Sequence, residues 1–166
     1  MKKLNFAKNL STSGEMKRII PIASDHGGFE MKQYLIEKLE EAGYEVKDYG
    51  THSTESVDYP DMIHPLASTI EHGEYPMGII LCGSGNGAQM TANHHHHVRA
   101  ALCWNVELAK LARRHNDANI LSLPGRFISN ELAWEMVQAF LNTGFEGGRH
   151  TRRVEKIEPI ENQDHE

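Results

Sequence analysis

Met77-Gly78-Ile79-Ile80-Leu81-Cys82-Gly83-Ser84-Gly85-Asn86-Gly87 is the stretch on which the reading of this chain turns. Met77 to Leu81 is a short apolar run that reads as a buried strand. The glycine-rich segment after it leads into Ala88-Gln89-Met90-Thr91-Ala92, which reads as a helix start. A thiol therefore sits at the carboxyl end of a strand, on a turn whose backbone N–H groups can point at an anion. That is the geometry of a ligand site in an open parallel sheet. Glycine allows positive φ and close approach to a ligand. A thiol at a helix N-terminus has its thiolate favoured, so Cys82 is a candidate base or nucleophile. A small buried cysteine beside an ordinary strand–helix turn would look the same locally, so the rest of the chain has to decide.

Outward from this stretch, strands alternate with helices. Ile19-Ile20-Pro21-Ile22-Ala23 predicts a strand that ends at Ser24-Asp25-His26-Gly27-Gly28. The following helix carries Met31, Leu35, Leu39 and Ala42 on one face and stops at Gly43. A second strand covers 44–49, and a helix runs from about Asp61 to His72. After the Cys82 loop come a strand at 98–102, a helix at 106–114, a strand at 119–123 and a helix at 131–142. This alternation predicts an α/β domain whose five-stranded parallel sheet is covered on both faces. Residues 16–158 read as a single domain, 1–15 as a disordered extension and 159–166 as a flexible tail.

The composition suits that picture. A chain of 166 residues with 39% hydrophobic and 24% charged residues has room for a real core. The net charge of −6 argues against nucleic acid as a partner. Two cysteines, Cys82 and Cys103, make no disulfide framework, which suggests a reducing compartment. No signal-peptide or transmembrane pattern is visible, so the expectation is a cytoplasmic protein with no membrane partner. Against this acidic background, Arg149, Arg152 and Arg153 cluster within five residues. They read either as a solvated basic helix start or as a phosphate clamp, since Arg offers a planar fork to phosphate oxygens. Arg149 and Arg153 are one helical turn apart and would share a face.

Taken together, several segments resemble the ribose-5-phosphate isomerase B family, which includes the galactose-6-phosphate isomerase subunits. The matching stretches are Ser24-Asp25-His26-Gly27-Gly28-Phe29, Asp58-Tyr59-Pro60, Cys82 to Gly87, Arg99-Ala100-Ala101, Arg114-His115-Asn116-Asp117-Ala118-Asn119 and Glu146-Gly147-Gly148-Arg149-His150. They keep the family's order from residue 18 to about 157. The resemblance implies a Rossmann-like three-layer α/β/α fold, a homodimer (with a tetramer also open) whose active sites lie at the subunit interface, and neither metal nor cofactor. The implied reaction is the aldose–ketose interconversion of D-ribose 5-phosphate and D-ribulose 5-phosphate in the pentose phosphate pathway. By the same analogy Cys82 moves the proton between C1 and C2, and His115 assists ring opening with Asp25 nearby. Ser84 and the backbone of Gly83, Gly85, Asn86 and Gly87 hold the enediolate oxygens. His26, Arg149 and Arg153, with Arg126 as a further candidate, hold the phosphate, and Tyr59 and Asn116 contact the sugar.

Independent chemistry fits these roles. Proton abstraction beside a carbonyl needs a base that works near neutral pH. The enediolate is an anion, so fixed N–H donors favour it over the neutral substrate. His115 falls near the end of a helix, where the dipole suits a proton donor. His94-His95-His96-His97 departs from the family, whose members carry a lysine-led, glycine-containing turn there. Consecutive residues in a regular element cannot all face one ion, so this run reads as a low-complexity turn or an engineered substitution rather than a metal site.

Three other functions share part of this pattern. A six-carbon phosphosugar isomerase (allose 6-phosphate or galactose 6-phosphate) would share the chemistry at C1 and C2. A cysteine-dependent phosphatase would want an arginine about six residues after the cysteine, where this chain has Ala88. A non-catalytic sugar-phosphate sensor could use the same fold.

Overall fold

The computed structural model describes residues 8–10 and 16–159. Strands β1 (Lys8–Leu10), β2 (Met16–Ser24), β3 (Glu45–Asp48), β4 (Gly78–Cys82), β5 (Ala100–Leu102) and β6 (Ile120–Pro124) alternate with helices α1 (Phe29–Glu41), α2 (Tyr59–Glu71), α3 (Asn86–Ala92), α4 (Val106–Asn116), α5 (Asn130–Asn142) and α6 (Arg149–Glu155). Five strands form a parallel sheet in the order β3-β2-β4-β6-β5. The expected three-layer α/β/α fold is therefore present.

The layers follow from a period of two along each central strand. Ile79 and Leu81 of β4 join one core with Met31 and Leu35 of α1, Ala109 of α4, and Met136 and Phe140 of α5. Ile80 and Cys82 turn to the opposite face, against Ile63 and Leu66 of α2 and Ala88 and Ala92 of α3. β4 and β6 are buried along their whole length, as central strands of a covered parallel sheet should be. β3, at one edge, alternates exposed and half-buried residues. Lys32 on α1 is fully buried and pairs with both carboxylate oxygens of Asp48 at 2.8 Å, which closes the end of β3 against α1.

Two boundaries differ from the sequence reading. Within the N-terminal stretch read as disordered, Lys8–Leu10 form β1, antiparallel to Met16–Arg18. Those residues of β2 precede its first pairings with β3 at Ile19 and with β4 at Ile22, so their backbone groups are open to another strand. The remaining residues of 1–15, and 160–166 of the expected tail, lie outside the described residues. Helix α2 starts at Tyr59, two residues before the expected Asp61. Asp58 is extended (φ −81°, ψ 121°), and proline is favoured in a first turn, where its missing N–H costs nothing. Among the described residues no helix is long and apolar enough to cross a membrane.

Candidate active site

Chain order and strand order disagree between β2 and β4: the chain leaves β2 for the edge strand β3, then returns to β4 on β2's other side. This switch point leaves a crevice outside the carboxyl ends of the two strands, where ligands bind in open α/β sheets. Asp25 follows β2 there, and Cys82 ends β4.

Three loops interlock around that crevice. Asp25 N–H donates to the Leu81 carbonyl (3.4 Å), Gly125 N–H to the Cys82 carbonyl (2.9 Å) and Arg126 N–H to the Gly83 carbonyl (3.0 Å). The Asp25 carboxylate accepts from Gly27 N–H (2.9 Å) and Gly28 N–H (3.3 Å), capping the short turn 26–28. A Cβ on Gly28 would stand 2.6 Å from Leu81 Cβ, so only glycine lets this turn lie against β4. Gly85 has φ 78°, the left-handed geometry that glycine adopts without strain, and starts α3. The buried Ser122 hydroxyl donates to the Gly85 carbonyl (2.8 Å) and holds the cysteine loop from beneath.

The side chains follow from this frame. Cys82 is 5% exposed and packs in the core on the α2–α3 face of the sheet. Ser84 Oγ accepts from the N–H and the side-chain amide of Asn86 (both 3.3 Å), which leaves its proton free to donate. His26 Nδ1 accepts from Val57 N–H (3.2 Å), so the proton of its neutral ring sits on Nε2. Asp25, His26, Tyr59 and residues 56–61 around it line a groove of about 510 Å³. The Arg126 guanidinium lies beside Gly83: a Cβ there would be 3.3 Å from Nη1. The other thiol, Cys103, is buried and pushed up to about 11 by desolvation, so it stays protonated at neutral pH.

His115, Asn116, Arg149 and Arg153 gather elsewhere. α4 runs from the carboxyl end of β5 back to the amino end of β6, and His115 lies in its last turn. Just beyond it, Asn119 N–H donates to the Arg99 carbonyl ahead of β5, and the Asn119 carbonyl accepts from Gly78 at the start of β4. The His115 cluster therefore lies at the opposite end of the sheet from Cys82, offset along the strand direction by the span of a five-residue parallel strand, about 13 Å. His115, Asn116 and Asp117 thus precede a strand, whereas Asp25 and Cys82 lie at the carboxyl ends of theirs. Arg149 and Arg153 are both exposed on α6, one turn apart as expected. Asn116 faces a second groove, of about 490 Å³, with Arg99, Leu102 and Ile157.

The sequence reading did not assign His150 a role, nor Ser122. His150 follows Arg149 but turns inward, and its ring stacks on His115 with centroids 4.2 Å apart and planes 13° from parallel. Burial, then the neighbouring His115 and Arg149, lowers its pKa below the usual imidazole value. The histidine run forms the turn after α3. His95 there places Nδ1 2.9 Å from Glu71 and Nε2 2.7 Å from His64, so both of its ring nitrogens are engaged.

With this geometry in view, the comparisons with known proteins agree. Residues 20–157 match the family model described as Ribose/Galactose Isomerase. Ribose-5-phosphate isomerase B of Escherichia coli is 41% identical over 146 residues, 88% of this chain and 97% of its own length. The crystal structure of a ribose 5-phosphate isomerase from Thermotoga maritima superposes with a TM-score of 0.84 at 50% identity, covering 86% of this chain and 98% of that one. Ribose-5-phosphate isomerase B from Mycoplasma genitalium, solved with bound ribulose-5-phosphate, gives a TM-score of 0.81 at 39% identity, over 84% of this chain and 93% of the other. A match to the family model over most of the chain, joined to the glycine-bordered cysteine at the switch point, means that the chain belongs to the ribose/galactose isomerase family.

Proposed function

We propose that this protein interconverts D-ribose 5-phosphate and D-ribulose 5-phosphate through an enediolate, as a cytoplasmic enzyme of the pentose phosphate pathway, with Cys82 as the base. The observation that carries the proposal is the position of Cys82 at the switch point, on a loop anchored by Asp25, Ser122 and Gly125. The names and closeness of the Escherichia coli and Thermotoga maritima relatives support the pentose as substrate.

In this mechanism the Cys82 thiolate takes the proton from C2 of the open-chain aldose and returns it to C1. Two electrons from the broken C–H bond enter the C1–C2 enediolate, whose negative charge falls on the oxygens facing the 83–87 backbone and the Ser84 hydroxyl; the hydroxyl proton of O2 passes to O1, so protonation of C1 leaves the carbonyl at C2. Donors aimed at that charge stabilise the transition state more than the neutral substrate. Tyr59 covers the sugar, and His26, with Nε2–H free to donate, faces the phosphate along with Arg126.

His115, Asn116, Arg149 and Arg153 cannot join Cys82 within one chain, because they lie at the other end of the strands. A homodimer resolves this by completing each site with the partner subunit's His115, Asn116, Arg149 and Arg153. His115 would then pass a proton to the ring oxygen as the furanose opens, and the two arginines would clamp the phosphate.

The test is turnover of D-ribose 5-phosphate beside D-allose 6-phosphate and D-galactose 6-phosphate, with and without chelator. Preferential, chelator-insensitive turnover of the pentose is expected. Preference for a hexose phosphate would reassign the substrate, and turnover of none would leave a sensor.

A further inference from the structure

Away from the cysteine loop, the described residues hold one group of three side chains with metal-ligating chemistry: His115, Glu146 and His150, whose ligand atoms all lie within 4.8 Å of one another. Glu146 Oε2 is 4.0 Å from His115 Nε2, and Glu146 Oε1 is 3.9 Å from His150 Nε2. The backbone already holds the group together. Glu146 N–H donates to the Arg114 carbonyl, pinning the segment before α6 to the last turn of α4. The two imidazoles stack nearly parallel, so one ring must tilt out of the stack to bring both Nε2 lone pairs onto one ion.

A second observation comes from His150 alone. Its ring is buried, and Nε2 has no hydrogen-bond partner although it is sealed from solvent. An unsatisfied buried nitrogen is costly and calls for a partner. The Glu146 carboxylate stands beyond hydrogen-bonding range at 3.9 Å. A cation seated between them would satisfy the nitrogen, the carboxylate and His115 at once.

The donor set identifies the ion. Two imidazoles and one carboxylate, with a fourth position open to water, suit zinc and its borderline neighbours rather than magnesium or calcium, which prefer all-oxygen shells. Tetrahedral ligands at about 2.0–2.1 Å from zinc lie roughly 3.3 Å apart, so the two glutamate–histidine pairs, at 4.0 and 3.9 Å, must close by about 0.6–0.7 Å, and no pair of the three by more than about 1.5 Å. The side chain of Glu146, 58% exposed, is free to make that movement. Arg149 and Arg153 nearby oppose a cation, which sets the site apart from a permanently loaded structural one.

We propose that His115, Glu146 and His150 form a binding site for a zinc-like divalent transition metal, and that occupancy withdraws His115 from catalysis and inhibits the enzyme. The inhibition rests on the function proposed above; the binding does not.

The experiment uses the full chain with His94, His96 and His97 replaced by glutamine, so that the histidine run does not contribute sites of its own. Zinc affinity is measured by competition with a chromophoric chelator, cobalt substitution reports coordination geometry, and turnover is followed over the same zinc range. One equivalent of zinc is expected to bind, with loss of turnover in parallel and recovery on adding chelator. Glu146→Gln, at an exposed side chain, and His150→Ala should each weaken zinc by about tenfold or more and shift inhibition equally. Unchanged zinc affinity in both variants, or no tetrahedral cobalt spectrum, would overturn the site. Binding at one equivalent with turnover intact would overturn the inhibitory role. Binding as expected in a protein that turns over no phosphosugar would uphold the site and remove the proposed function instead.

Discussion

The ring of Tyr59 lies so close over Gly87 that a Cβ at position 87 would stand 2.5 Å from its Cζ atom. The first residue of α2 is thereby seated on the backbone of the cysteine loop, which joins the proposed sugar-contacting side chain to the proposed enediolate donors. Gly87→Ala must push the ring aside. Because Tyr59 is partly exposed, the ring can swing outward and the core is spared. The expected result is a several-fold rise in KM for ribose 5-phosphate, with Tm lowered by no more than about 4 °C, or ~1 kcal/mol for a chain of this size. An unchanged KM would detach Tyr59 from the substrate.

The two thiols should behave differently. Cys82→Ala is expected to lower kcat by about 10²–10⁴-fold, the usual worth of a positioned acid–base group, while calorimetry shows near-normal phosphosugar affinity. Burial holds the Cys103 thiol at about 11, so iodoacetamide at pH 8 should leave it unmodified in the folded protein. Its raised value also means that stability is complete below the ordinary thiol range and is lost as pH climbs from there toward about 11. Cys103→Ala should flatten that alkaline limb in thermal melts, and an unchanged limb would contradict the assignment.

Cys82 and His115 at opposite ends of one sheet predict complementation between subunits. Cys82→Ala and His115→Ala should each be inactive alone. After the two are mixed and allowed to exchange subunits, about one quarter of wild-type turnover should return, since half of the dimers are mixed and each holds one intact site of two. No recovery, with exchange confirmed by mass-tagged subunits, would place the site within one chain.

Arg149→Glu and Arg153→Glu test the phosphate clamp. Both residues are exposed on α6, so Tm should hold within the small range of surface changes. Each loses one hydrogen bond to a charged group, worth ~1.5–3 kcal/mol, so KM should rise about ten- to a hundred-fold. Steady-state kinetics decide it, and an unaltered KM would sink the clamp.

Much of this molecule is legible in local pattern. The largely apolar segments at 19–23, 77–81 and 119–123 read as strands, and the helical spacing of Met31, Leu35 and Leu39 marked the face that α1 buries. Cys82 follows such a segment directly and Asp25 follows one after Ser24, so their place at the carboxyl end of the sheet needed no tertiary information. The spacing of Arg149 and Arg153 likewise set them on one side of a helix turn. These are consequences of chain geometry within a few residues, where the periods of strand and helix act.

Packing alone decided the rest. Ser122 looks like any polar residue inside a strand until β6 lies under Gly85 and its hydroxyl finds that carbonyl. Tyr59 meets Gly87 only because α2 and α3 share a face of the sheet. His150 is one histidine among eleven until α6 folds onto α4 and stacks it on His115. The separation of His115 from Cys82 depends on the direction in which α4 crosses the sheet. Contacts between residues far apart in sequence arise from which faces must be buried together, and no window along the chain contains both partners.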